Sequence, residues 1–84
     1  MKTIALLPMY NEGRRTAEVV NRFPEGVVDE ILVVDDASSD GSPEFVKKTR
    51  ASVLSLQQRT GCGGAIRAGL EYGLEKDYDV FIIL

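Results

Sequence analysis

The sequence predicts an α/β chain in which four strands form one parallel sheet, three helices connect them in the order β-α-β-α-β-α-β, and the whole packs as three layers. Four short apolar runs, TIALLP, EILVVDD, SVLSLQ and DVFIIL, alternate with three segments able to form helices. The first, second and fourth runs are continuously hydrophobic rather than alternating, the pattern of strands covered on both faces. Right-handed crossovers then set the first strand near the centre of the sheet.

The first helix is expected over Gly13 to Phe23, with Ala17, Val20 and Phe23 on one face and Pro24-Glu25-Gly26 ending it. The second begins with Ser42 as N-cap, Pro43 at the first helical position and Glu44 at the positive end of the dipole. It should turn Phe45 and Val46 inward and run to about Arg50. The third, about Gly64 to Glu75, carries two adjacent lines at helical spacing. Ile66, Leu70 and Leu74 read as core; Ala65, Gly69 and Gly73 remove bulk and let the helix lie close to the sheet or to a ligand.

The chain has 84 residues, enough for one small domain, and a net charge of -3 with scattered basic residues, which gives no reason to expect nucleic acid as a partner. Histidine is absent, so Ser-His-Asp and Cys-His catalysis and imidazole metal sites are excluded. The single cysteine, Cys62, cannot form an internal disulfide, in keeping with a cytoplasmic location. No run of about 18 apolar residues is present. DYDVFIIL stops on four apolar residues, and the chain is therefore expected to be the first part of a longer protein.

In a parallel sheet of this kind, ligands bind beyond the carboxyl ends of the strands, where the chain winds to opposite sides. Three loops emerge there: PMYNEG, DDASSDGS and QQRTGCGG. Adjacent carboxylates at a strand end point opposite ways, so of Asp35 and Asp36 one should face the crevice and one serve the loop; the plainer alternative is that both only make turns, and Asp40-Gly41 is turn chemistry. Tyr10 offers a flat face for a base and Glu12 an acceptor for ribose; the plainer alternative is that Tyr10 caps the core and Asn11 caps the first helix. Gly61-Cys62-Gly63-Gly64 leads into a helix whose amides could receive a phosphate, yet it is neither a P-loop nor G-x-G-x-x-G, since Ile66 holds the last glycine position. Arg59 and Arg67 could supply charge to a diphosphate, or Arg67 could pair with Glu71 along a solvated face.

Taken together, PMYNE, ILVVDDASSDGS and GCGGAIRAGLEYG resemble the N-terminal half of family 2 glycosyltransferases of the GT-A fold, particularly the dolichol-phosphate mannosyltransferase-like branch. The resemblance covers essentially the whole chain and implies a Rossmann-like half domain that binds the nucleotide of a UDP- or GDP-sugar. It places Pro8, Tyr10 and Glu12 around the base and ribose, Val34 beneath them, Asp36 as acceptor from the base and Asp35 as loop support. Gly61, Gly63 and Arg67 fall toward the phosphates. Family members commonly carry Asn where Arg59 stands, Lys where Cys62 stands and Gly where Ala37 stands.

The family's DxD motif, which holds Mg²⁺ or Mn²⁺ on the diphosphate, is expected immediately after FIIL, so this segment is expected to bind no metal itself. The implied parent reaction moves a sugar, with inversion, from a nucleotide to an acceptor such as a polyprenyl phosphate or a saccharide. The segment alone is expected to be inactive, and the parent to be cytoplasmic or at the cytoplasmic face of a membrane. Three other readings stand beside this one. A nucleotidyltransferase would want its glycine- and arginine-rich loop after the first strand, where Gly13-Arg14-Arg15 comes too late. A receiver domain would want an acceptor aspartate at the third strand, where SVLSLQQ has none. A non-catalytic nucleotide-binding or assembly module would pair as a homodimer through DVFIIL as an exposed edge.

Overall fold

The computed structural model describes residues 1–84. Strands β1 (Thr3–Met9), β2 (Glu30–Asp35), β3 (Ser52–Ser55) and β4 (Val80–Ile83) form one sheet in the order β3-β2-β1-β4, with every pairing parallel. Helices α1 (Gly13–Arg22), α2 (Ser42–Lys47) and α3 (Gly61–Glu75) make the crossovers. The predicted element order and the central place of β1 are both found.

Side chains alternate along each strand and divide the core in two. Ile4, Leu6, Leu32 and Val34 point to one face and pack with Ala65 of α3 and with Tyr78. Ala5, Met9, Ile31 and Val33 point to the other and meet Val20 of α1 and Val46 of α2. Each fully buried Leu or Val contributes about 1.5–3 kcal/mol of transfer free energy, which is why continuous apolar runs were needed on β1 and β2.

The structure corrects several expected details. In α3 the sheet-facing line is Ala65, Gly69 and Gly73, all buried, whereas Ile66 and Leu70 are half-buried and Leu74 is 65% exposed. Bulk on the sheet decides this: a Cβ on Gly73 would stand 2.8 Å from Cζ of Phe81, so only a glycine lets the helix come this near. In α2, Val46 is fully buried but Phe45 is 41% exposed and lies under the Arg14 guanidinium, 5.6 Å from its ring centroid. Neighbours on a helix stand about 100° apart, and a helix of six residues has one inward slot for this pair. Helix α2 also ends at Lys47, short of Arg50. Arg50 instead folds back to donate to the carbonyls of Val20 and Phe23 at the end of α1. Helix α3 begins at Gly61, three residues earlier than expected.

Candidate functional site

The ends of β1 and β2 and the start of α3 surround a cavity of about 350 Å³ at the carboxyl edge of the sheet. Pro8, Met9, Tyr10 and Glu12 line it from the end of β1 and the turn beyond. Asp36 enters from β2, and Arg59, Cys62 and Ala65 complete the opposite wall. Tyr10 is half-buried, Glu12 exposed, and the Glu12 carbonyl accepts the first turn bond of α1 from Thr16.

The turn after β1 is not held by Asn11 as a helix cap. Asn11 takes a left-handed backbone, φ 52°, and ties the first loop to the second. Its amide donates to Ser38 Oγ at 2.9 Å, its Oδ1 accepts from the Ser39 amide at 2.9 Å, and its Nδ2 donates to Ser39 Oγ at 3.3 Å. Ser42 is likewise not the cap of α2. Gly41 holds that position, and the buried Ser42 Oγ accepts from the Gly13 amide at 2.9 Å. Asp40 Oδ1 accepts from the Ser42 amide at 2.9 Å, a turn bond of the expected kind. These side chains tie the turn after β1, which carries Tyr10 and Glu12, to the loop after β2.

The two aspartates divide as successive strand residues must. Asp35 accepts from the Ser38 amide at 3.1 Å and from Ser55 Oγ at 3.3 Å, holding the second loop to β3. Asp36 reaches across to α3: its Oδ1 accepts from the Thr60 amide (2.7 Å) and Thr60 Oγ1 (2.9 Å). Its Oδ2 accepts from the Gly61 amide (2.8 Å) and Arg59 Nε (3.3 Å). Helix α3 therefore receives its N-terminal carboxylate from another strand, 25 residues before Gly61. Gly61 has φ 85°, which presents its amide to that carboxylate. Asp36 is only 3% exposed, and burial by itself would raise its pKa. The Thr60 amide and hydroxyl, the Gly61 amide and Arg59 outweigh burial and hold it below the usual carboxylate range. It is an acceptor throughout the neutral range.

Across this carboxylate, Arg59 lies flat on Tyr10, its Cζ 3.5 Å from the ring centroid. Of the other residues singled out in the sequence, Val34 is fully buried beside the Ala65 layer and pairs with Pro8, outside the cavity wall. Gly63 and Arg67 are exposed on α3 and do not line the cavity, and Arg67 makes no ion pair with Glu71. The Gly61 amide, expected to face a phosphate, is spent on Asp36. Sequence reasoning missed Thr60 as a partner of Asp36 and Met9 and Ala65 as wall; the Thr directly before a glycine-led helix was the available signal.

A second hollow, about 310 Å³, opens at the opposite end of the sheet among Glu25, Asp29, Glu30 and Arg50. Arg50 is already committed to the α1 carbonyls there, and no aromatic face enters it. The chemistry gathers at the carboxyl edge instead. No group of three or more carboxylate or thiol side chains is assembled in the chain.

Comparison with known proteins identifies the architecture. The sequence model of "Glycosyl transferase family 2" matches residues 5–84. The chain belongs to glycosyltransferase family 2. This family 2 chain is 37% identical over 89 residues to the undecaprenyl-phosphate mannosyltransferase of Micrococcus luteus, covering 98% of the chain and 36% of that protein. It is 31% identical over 88 residues to the polyprenol monophosphomannose synthase of Mycolicibacterium smegmatis, covering 96% and 33% respectively. It thus spans about a third of the length of the curated relatives it matches. Glucosyl-3-phosphoglycerate synthase from Mycobacterium tuberculosis, in complex with Mn²⁺, uridine diphosphate and glucosyl-3-phosphoglycerate, matches with a TM-score of 0.75 at 26% identity. That match covers 98% of this chain and 33% of the synthase. A structure of the same synthase with Mg²⁺ and uridine diphosphate gives 0.74. The fold is the N-terminal part of a GT-A glycosyltransferase. No helix is long and apolar enough to cross a membrane.

Proposed function

We propose that this chain is the nucleotide-recognition part of an inverting glycosyltransferase that moves a sugar from a UDP- or GDP-sugar to an acceptor such as a polyprenyl phosphate. The observation that carries the proposal is the single cavity shared by Pro8, Tyr10, Glu12 and Asp36 at the carboxyl edge of the sheet. A flat ring over Tyr10 would bring a base N–H to the ionised Asp36, and Glu12 at the cavity mouth would accept from ribose. Val34 supports the floor from the core, while Gly61, Gly63 and Arg67 belong to the phosphate side. The relatives named for mannosyl transfer to polyprenyl phosphates support the acceptor class.

The neighbours' Mn²⁺, Mg²⁺ and uridine diphosphate support a divalent cation on the diphosphate in the whole enzyme. This chain's residues do not fit that ion, because Asp35 and Asp36 already accept from internal donors and no carboxylate cluster stands beside them. No catalytic step is assigned to these 84 residues, which by themselves should not turn over a sugar nucleotide. Titration calorimetry with UDP and GDP, with and without Mn²⁺, tests the reading. Binding that is abolished by Tyr10→Ala is expected. Equal heats for both chains, or none with either nucleotide, would refute it.

A second reading is assembly, because β4 is an edge strand and Ile83 and Leu84 are 51% and 42% exposed. Sedimentation at several concentrations distinguishes a homodimer formed through that edge from a monomer.

A further inference from the structure

The face of Tyr10 on which a base would lie is already covered. Arg59 places its guanidinium carbon 3.5 Å from the ring centroid, within contact distance, and a second planar group has no room on that face while it stays. The same side chain turns its Nε–H to Asp36 Oδ2 at 3.3 Å. A flat, delocalised group stacked on Tyr10 with an N–H aimed at Asp36 reproduces the two contacts that the proposed function assigns to a nucleobase.

We propose that Arg59 is a built-in stand-in for the base, held in the subsite when it is empty and displaced when a nucleoside enters; this rests on the nucleotide reading above. The hydrogen bonds of Asp36 show why Arg59 is the part that moves. A carboxylate has about four acceptor positions, and here all are taken: by the Thr60 amide, the Thr60 hydroxyl, the Gly61 amide and Arg59. The first three are 2.7, 2.9 and 2.8 Å long; both amides belong to the backbone entering α3 and cannot leave without unwinding the helix start, and the Thr60 hydroxyl sits on the same anchored residue. The Arg59 bond is longer, its donor is the tip of a flexible side chain, and that side chain is 57% exposed. The acceptor position on Asp36 that Arg59 fills is the one most readily exchanged.

Such a stand-in has two effects. It keeps Asp36 satisfied and Tyr10 covered in the empty protein, avoiding a buried carboxylate with an open valence. It also makes every flat ligand compete with an internal rival, so the apparent affinity falls by the fraction of molecules in which Arg59 is in place.

The test uses the whole chain and nucleosides without phosphates, so that a released guanidinium has no diphosphate to follow. Uridine and guanosine are titrated by NMR into the native protein, Arg59→Ala and Arg59→Lys. Both variants are expected to bind the nucleoside preferred by the native protein about fivefold more tightly, since an exposed stack of this kind contributes about 1 kcal/mol. In the free native protein the Arg59 Hε signal should be shifted upfield by the Tyr10 ring, lose that shift in Tyr10→Leu, and lose it again on nucleoside addition. Equal or weaker nucleoside binding by the variants, with native binding intact, overturns the stand-in and leaves the nucleotide site standing. An absent ring shift in the free protein also overturns it. Absence of nucleoside and UDP or GDP binding in all three proteins, with the ring shift present, overturns the nucleotide reading and the stand-in with it.

Discussion

Strand β2 carries a buried or half-buried carboxylate at each end, and the two are treated differently. At its start, Glu30 accepts from the hydroxyls of Tyr72 (2.6 Å) and Tyr78 (2.5 Å), on and just beyond the far end of α3. Just past its finish, Asp36 accepts from Thr60 and Gly61 at the near end of α3. One helix is thus pinned to one strand twice. At the Glu30 end both donors are phenols anchored in the core layer. At the Asp36 end two donors are backbone amides and a third is the hydroxyl of the same Thr60, while the fourth, Arg59, is an exposed side chain bordering a cavity. The lesson is that a structural carboxylate becomes a candidate binding group when one of its partners is free to leave.

Removing the anchor at the cavity end should have the largest effect. Asp36→Ala leaves the Thr60 and Gly61 amides without their acceptor and is expected to lower stability by about 3 kcal/mol, as urea denaturation would measure. It should also abolish nucleotide binding, whereas Glu30→Ala, expected to cost about 2 kcal/mol by the same measurement, should leave binding intact. Equal loss of binding in both variants would erase the distinction between the two ends.

The ends should also separate by pH. Burial of Glu30 tends to raise its pKa, but the hydroxyls of Tyr72, Tyr78 and Ser52 and the charge of Lys76 bring it below its usual value. Asp36 is depressed as well. Both therefore contribute stability that is present above the ordinary carboxylate pKa of about 4 and is lost as pH falls through their lower folded values. Burial, then the bond to Glu30, pushes Tyr72 up to about 12, and Tyr78 is raised further by the same causes. Their contribution is complete below about pH 10 and fades as pH rises through the folded values. Thermal melting across pH should show an acid limb due to both ends and an alkaline limb due to the Glu30 end alone. Tyr72→Phe should flatten the alkaline limb and, because its hydroxyl helps depress Glu30, the Glu30 part of the acid limb as well, whereas Asp36→Ala should change the acid limb alone.

The smallest expected effect concerns the loop that Asp35 supports. Ala37 stands at φ 61°, a left-handed conformation that costs a residue with a Cβ about 1 kcal/mol or more. Ala37→Gly removes that strain but adds chain entropy to the unfolded state, for an expected net gain of about 0.5 kcal/mol. A decrease in the urea midpoint would show that the Ala37 methyl packs favourably at this turn.

The order of elements and the edge that carries the cavity were legible because they follow from one-dimensional signals: runs of apolar residues and polar loops between them. Tyr10 and Asp36 could be brought together on paper because parallel strands deliver their ends to one side. Finer choices depended on competition in three dimensions. Whether α3 would show Leu70 or Gly69 to the sheet turned on the bulk of Leu6 and Phe81, which face Gly69 and Gly73 from β1 and β4. The stacking of Arg59 on Tyr10 joins positions with no local relation in the chain, so arginine there read as a generic charge. Phe45 and Val46 were indistinguishable by hydrophobicity, and only the brevity of α2 decided which stayed outside.

The central position of β1 has a consequence for biosynthesis. Its hydrogen-bond partner on one flank, β2, leaves the ribosome soon afterwards, but its other flank waits for Val80–Ile83. Throughout the intervening translation this apolar strand of the nascent chain keeps an open side, and chaperones that capture extended hydrophobic segments would find it there.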